Sequence, residues 1–220
     1  PMFVSMCGAN HDSHDFIAGM QSRGVRAFLV ERGVEASSCT GECGFVQVDN
    51  AIEALQRLAA YHRAQFRGTV VGITGSNGKT VIKEWIAEEL PEGMKYYRSP
   101  KSYNSQLGVP LSVLMLEGDE ELAIFEAGIS KPGEMERLER IIRPDAVIFT
   151  SIGDAHQENF INLEQKCDEK MILARSASKI IYHSYYEPLG RMVAAHFADR
   201  RPVDAAAYPE VDYISIPHNH

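Results

Sequence analysis

Thr69-Val70-Val71-Gly72-Ile73-Thr74-Gly75-Ser76-Asn77-Gly78-Lys79-Thr80 is the stretch that decides the fold of this chain. Its first six residues are apolar and β-branched, the composition of a strand buried on both faces of a parallel sheet. A glycine-rich turn follows, and Lys79 to Leu90 reads as a helix stopped by Pro91. Strand, glycine-rich turn and helix in that order form a phosphate cradle. The glycines let the backbone curl so that successive N–H groups face phosphate oxygens. The helix N-terminus adds partial positive charge, Lys79 supplies a full one to the β- and γ-phosphates, and the Thr80 hydroxyl can ligate magnesium. Gly75, Ser76, Asn77, Gly78, Lys79 and Thr80 are therefore candidate ATP-binding residues. The bland alternative is a fortuitous turn, and the flanking strand and helix argue against it.

Downstream the same alternation repeats. Strands are expected at Lys95–Arg98, Leu122–Glu126, Ala146–Thr150 and Lys179–His183, with helices at Gln106–Leu116, Glu134–Ile142, Leu163–Ser176 and Leu189–Phe197. Such alternation implies an α/β fold, a mostly parallel sheet with helices on both faces. Upstream the units are shorter. Asp15 to Arg23 reads as a helix, Ala27 to Glu31 as a strand, Gly33 to Gly44 as a loop and Phe45 to Val48 as a second strand. Asp49 or Asn50 then caps a helix running to about Phe66. These patterns place a domain boundary near Arg67-Gly68, dividing a small, incomplete α/β domain (1–67) from a nucleotide-binding domain (68–220). The segment from Arg200 to His220 carries no closing element, and both ends are expected to be cut.

Composition excludes several classes. The chain has 220 residues, a net charge of −8 and acids and bases interspersed throughout, so it lacks the basic face that nucleic acid requires. No run of eighteen apolar residues is present, which argues against a membrane span, and the first residues lack the flank and cleavage site of a signal peptide. A cytoplasmic protein is expected. Cys39 and Cys43 resemble half a zinc site, but His11 and His14 are the nearest second pair and stand too far upstream, so free thiols are expected.

One departure is informative. A generic P-loop would carry its first glycine at position 73, which is Ile73. Thr-Gly-x-x-Gly-Lys-Thr is a shorter loop, and it resembles the signature of the Mur ligases and folylpolyglutamate synthases. Further matches follow in order: Asn104-Ser105-Gln106-Leu107-Gly108-Val109-Pro110, Glu126-Ala127-Gly128, Arg143-Pro144-Asp145, Ile152-Gly153-Asp154-Ala155-His156, and Leu163-Glu164 with Lys170. Upstream, Asp12-Ser13-His14-Asp15-Phe16-Ile17 resembles the Asp-Gly-His-Asp-Phe-Ile of the UDP-binding domain in one Mur branch, with Ser13 in place of the usual glycine.

The resemblance implies an ATP-dependent amide ligase of peptidoglycan precursor synthesis. That branch joins D-alanyl-D-alanine to a UDP-N-acetylmuramoyl-tripeptide through an acyl phosphate. Its wording from Phe66 to Arg175 is most similar to the form fused to an alanine racemase, and the family adds a C-terminal ligase domain. The resemblance makes Lys79, Glu126, His156 and Lys170 catalytic residues and adds Asn104 to the nucleotide site. Thr80 and Glu126 would ligate one Mg2+, and His156 with a carbamylated Lys170 a second. Read alone, His156 is a loop histidine, Lys170 a solvated helix lysine, and Asn104 a turn residue. Glu126 closes an apolar strand beside the loop, a position suited to a metal. Other Mur-type or folylpolyglutamate-type ligases, a regulatory ATPase, and a fragment that binds nucleotide without catalysis stay open.

Overall fold

Parallel strands cannot be joined by tight turns, so each strand must be followed by a crossover that returns the chain to the same end of the sheet. The computed structural model describes residues 1–8, 11–34, 41–153, 157–200 and 202–207. The chain forms two compact units, Pro1–Arg57 and Leu58–His220, and the division falls within a helix, α2 (Ala51–Arg63), ahead of Arg67-Gly68.

In the first unit β1 (Met2–Val4), β2 (Ala27–Val30) and β3 (Gly44–Gln47) form a parallel sheet in that order. The first of these strands escapes sequence reading because three residues are too few to show a period. Phe28 is the centre of the core, stacked on Phe45 with centroids 5.1 Å apart and packed with Ile17 and Val30. The helix expected over Asp15–Arg23 divides into a 3-10 turn, Ser13–Phe16, and α1 (Ile17–Ser22). Asp12 forces that division: its carboxylate accepts from the His14 backbone N–H at 2.9 Å and lies 2.5 Å from His14 Nδ1. Ser13 ties the turn to β1's continuation, its hydroxyl accepting from Met6 N and donating to Met6 O.

The second unit is built on six parallel strands. They are β4 (Thr69–Thr74), β5 (Tyr96–Arg98), β6 (Leu122–Ala127), β7 (Ala146–Phe149), β8 (Lys179–Tyr182) and β9 (Val203–Asp204). Their order across the sheet is β5-β6-β4-β7-β8-β9. The connecting helices are α3 (Lys79–Glu88), α4 (Gly108–Val113), α5 (Glu134–Ile142), α6 (Leu163–Met171) and α7 (Leu189–His196). The expected α/β architecture is present. The largest shortfalls from the expected helices are at α4, which starts at Gly108 with Pro110 in its first turn, and at α6, which ends at Met171 before a 3-10 turn, Ile172–Ala174.

Alternation along the strands assigns the two faces. Val70, Ala123, Phe125 and Val147 pack into the larger core with Val109, Val113, Met135 and Leu138. Ile73, Leu122 and Ile124 face the other way, onto Ile82 and Ile86 of α3. Glu126 continues the Leu122–Ile124 stripe by period two, so its carboxylate is directed to the α3 side. The α2 end is tied to α5 by Arg63, whose guanidinium donates to Ile142 O at 2.8 Å and Arg143 O at 3.0 Å. Among the described residues no helix is long and apolar enough to cross a membrane.

Candidate functional site

The chain leaves β4 for an outer pair, β5 and β6, and then crosses to β7 on the other side. This reversal makes the carboxyl end of β4 a topological switch point, where open parallel sheets bind their ligands. The Gly75–Thr80 loop sits at that end, with Glu126 at the end of β6 and Thr150 just past the end of β7.

Close packing explains Gly75. Its φ is +151°, and a Cβ there would stand 1.8 Å from Thr150 Oγ1. Ser76 N–H donates to Ser151 O at 2.7 Å, and the Ser76 hydroxyl exchanges hydrogen bonds with the Gly153 backbone. The loop is therefore pinned to the β7 exit. The expectation that its successive N–H groups all face a phosphate needs correction at Ser76, whose N–H is spent on the sheet. Thr150 Oγ1 donates to Asn77 O at 2.6 Å. Because a trans peptide opposes C=O and N–H, this turns Gly78 N–H away from Thr150. Gly78 enters α3 with φ +82°, a left-handed conformation that suits glycine. The first-turn N–H groups of α3 have no intrahelical acceptor and open at the loop.

Three lysines converge beneath the loop. Lys79 Nζ donates to Gly75 O at 2.9 Å and Ser76 O at 3.2 Å, while Lys170 Nζ donates to Gly75 O at 3.0 Å. Lys166 donates to Gly153 O and lies 5.9 Å from the centre of the Phe160 ring. Burial, then the neighbouring cations Lys79 and Lys166, pushes Lys170 down to about 7. Lys79 is also lowered, first by burial, with Glu126 opposing and Lys166 adding to the shift. Cys167, on the same helix as Lys170, is pushed up to about 12 by burial and is a poor nucleophile at neutral pH.

On the β6 side lies an oxygen cluster. Thr80 Oγ1 donates to Glu126 Oε2 at 3.1 Å and lies 3.3 Å from Ser102 Oγ. Asn104 Nδ2 approaches the same Oε2 at 3.4 Å, and Asn104 O accepts from Gly128 N at 2.8 Å. Glu126 is fully buried, with its Oε1 2.8 Å from the Lys83 ammonium and its Oε2 turned to Thr80. A buried carboxylate oxygen, Oε2, beside the hydroxyls of Thr80 and Ser102 is a hard oxygen donor set, and it fits Mg2+.

The structure brings Lys79, Thr80, Asn104, Glu126 and Lys170 together. His156 lies outside the described residues, as does Cys39. Sequence reading missed Lys83 and Lys166. Lys83 is fully buried, with Nζ 2.8 Å from Glu126 Oε1. Both had a signal: Lys83 follows Lys79 by four residues and Lys166 precedes Lys170 by four, the spacing that puts two side chains on one helix face. His14 is held on both ring nitrogens by its own unit. Its Nε2 accepts from Glu31 N at 3.0 Å, so Nδ1 carries the proton given to Asp12 and has no lone pair for a metal, although Cys7 and Asp12 stand close by.

Against known proteins, residues 73–198 match the family model of the Mur ligase middle domain. The UDP-N-acetylmuramoyl-tripeptide–D-alanyl-D-alanine ligase of Borreliella burgdorferi is 35% identical over 175 residues, covering 77% of this chain and 38% of that protein. The Bacillus subtilis enzyme of that name is 32% identical over 170 residues, covering 77% and 37%. The chain thus spans about two fifths of the length of these relatives. Among solved structures, MurF from Acinetobacter baumannii superposes with a TM-score of 0.80 at 26% identity, over 92% of this chain and 44% of its own. MurF from Thermotoga maritima in complex with ADP gives 0.76 at 28% identity, over 92% and 46%. A family model that matches more than half of its residues, at the strand ends where the loop, carboxylate and lysines meet, makes this chain a member of the Mur ligase family.

Proposed function

We propose that this chain is the ATP-binding part of a cytoplasmic amide-bond ligase that joins D-alanyl-D-alanine to a UDP-N-acetylmuramoyl-tripeptide. The observation that carries the reading is the convergence of phosphate loop, buried carboxylate and buried lysines at the ends of β4, β6 and β7. The names of the relatives supply the substrates. On this reading residues 1–67 serve the uridine nucleotide and residues 68–220 serve ATP.

In the first step a substrate carboxylate oxygen attacks the γ-phosphorus and ADP leaves, giving an acyl phosphate. The amine of D-alanyl-D-alanine then attacks the acyl carbon, phosphate leaves, and the nitrogen loses a proton. Such chemistry asks mainly for positioning and charge neutralisation. Lys79 and the N–H groups at the start of α3 hold the β- and γ-phosphates, and Asn104 steadies Glu126. Thr80 and Glu126 would hold Mg2+, which offsets repulsion between the carboxylate and the γ-phosphate. His156 and a carbamylated Lys170 would hold a second Mg2+. Lys170 is suited to that modification, because a group titrating near 7 offers neutral amine for CO2 at physiological pH.

Calorimetric titration of this chain with Mg-ATP tests the nucleotide reading. Saturable binding that falls at least tenfold in Lys79→Ala is expected. An unchanged affinity in that variant, with the fold intact by circular dichroism, sinks it. A panel of D-alanyl-D-alanine, free amino acids and glutamate as acceptors separates this ligase from others of its family.

A further inference from the structure

A lysine on a surface helix ordinarily carries its ammonium to water. Lys83 does the reverse. Its side chain is fully buried on the α3 face that also presents Thr80 and Ala87. Its ammonium makes four polar contacts: Glu126 Oε1 at 2.8 Å, Ser99 O at 2.7 Å, Lys101 O at 2.5 Å and Glu84 Oε1 at 3.4 Å. Glu84 in turn pairs with Arg98 at 3.0 Å. The two carbonyls fix the ammonium, and the ammonium fixes one edge of the carboxylate. The other oxygen, Oε2, is left facing Thr80. Two acids and two bases cancel across this cluster, whereas the ammonium groups of Lys79 and Lys170 under the loop rest on backbone carbonyls.

We propose that Lys83 is a positioning residue and built-in counter-ion for Glu126. It holds Oε1, leaves Oε2 as a single donor beside Thr80, and makes the site take its divalent cation together with a nucleoside triphosphate rather than as the free ion. This rests on the reading of Glu126 as a metal ligand. The physical reason is charge. A carboxylate paired at 2.8 Å offers a free dication little net attraction, since the bound ammonium repels it. The triphosphate brings its own negative charge and tips the balance. Removing one partner of a buried pair leaves the other uncompensated, so a cation should then bind on its own.

The test is Mn2+ binding to this chain, read by the loss of the free-ion electron paramagnetic resonance signal without nucleotide. Wild type should bind weakly. Lys83→Met should bind at least tenfold more tightly, Lys83→Arg should restore weak binding, and Lys83→Met with Glu126→Gln should be as weak as wild type. A merely structural lysine would not move cation affinity upward. Lys83→Gln, which keeps a donor for the Ser99 and Lys101 carbonyls, makes the same prediction if the methionine variant does not fold. Tight binding of free Mn2+ by the wild type, or no gain in either variant, overturns the proposal. Calorimetry with Mg-ATP separates the two claims. An unchanged affinity in Glu126→Gln refutes the metal role of Glu126, whereas a loss there with no gain at Lys83 refutes the counter-ion alone.

Discussion

Replacing Gly75 by alanine isolates what holds the phosphate loop in place. Two costs follow from the geometry. The backbone at φ +151° is one that side chains rarely adopt, and such a residue costs about 1–3 kcal/mol. The new Cβ would also meet Thr150 Oγ1 at 1.8 Å and Ser151 O at 3.0 Å. Thr150 is buried and must swing aside, giving up its 2.6 Å hydrogen bond to Asn77 O and leaving that carbonyl with the longer 3.5 Å contact from the Ser151 hydroxyl, a further loss of about 1–3 kcal/mol. Gly75→Ala should therefore lose about 3–5 kcal/mol in urea unfolding, a large share of a domain's usual stability. Thr150→Ala alone should lose about 1–2 kcal/mol, for the hydrogen bond. The double variant relieves the Oγ1 clash but not the 2.9 Å approach of the two Cβ atoms. Its loss should fall short of additivity by about 1–2 kcal/mol. Strict additivity would refute Thr150 as the obstacle, and a Gly75→Ala variant within 0.5 kcal/mol of wild type would refute the whole account.

Three other perturbations have expected outcomes. Lys170 titrates near 7 when folded against an ordinary 10.5, so the unfolded state binds more protons between those values and stability rises with pH across them. Lys170→Met should flatten that rise and add a few kcal/mol at pH 7, measured by urea unfolding at pH 7 and 9 in CO2-free buffer. In 13C-bicarbonate the wild type should show a carbamate resonance that Lys170→Met lacks; no signal at pH 8 counts against the modification. Arg63→Ala strips the buried Ile142 carbonyl and the part-buried Arg143 carbonyl at the α5 terminus of their donor and removes a cation from the Phe66 ring at 5.6 Å, so it should cost about 2–4 kcal/mol. Arg63→Lys, a point charge that cannot reach both carbonyls, should recover less than half of that thermal stability.

What was legible in the sequence was what local pattern carries. The β4-loop-α3 unit announces itself because β-branched residues, glycines and a helix start stand within one short stretch. Glu126 was legible because an acid closing an apolar strand breaks the strand's own pattern. Lys83 was not, because a helix lysine reads as solvated until its acceptors are known. Those acceptors, Glu126, Ser99 and Lys101, come from other elements of the sheet. A second reason for Gly75 was not legible either: the glycine makes room for Thr150, which arrives by tertiary packing from the end of β7. Strands β1 and β9, of three and two residues, exist through pairing with β2 and β8 and have no periodicity of their own.

The site's two halves differ in charge, and that difference bears on how a nucleotide would enter. Under the loop, the ammonium groups of Lys79 and Lys170 rest on backbone carbonyls of Gly75 and Ser76. Carbonyl dipoles satisfy their hydrogen bonds without cancelling their charge, so this half, while Lys170 is unmodified, holds a positive potential in a region of low dielectric. The lowered titration of Lys79 and Lys170 records the cost of that arrangement. On the β6 side, Glu126 is matched by Lys83 and Glu84 by Arg98, so the oxygens of Thr80, Ser102 and Glu126 present donors with little net charge. A polyanion alone is drawn to the first half and a bare cation to neither. A triphosphate carrying its own dication satisfies both together, with the phosphates over the lysines and the metal toward the oxygens. On the proposed reading, with Lys79 charged and Lys170 not yet carbamylated, the polarity of the site orients Mg-ATP before any substrate carboxylate arrives.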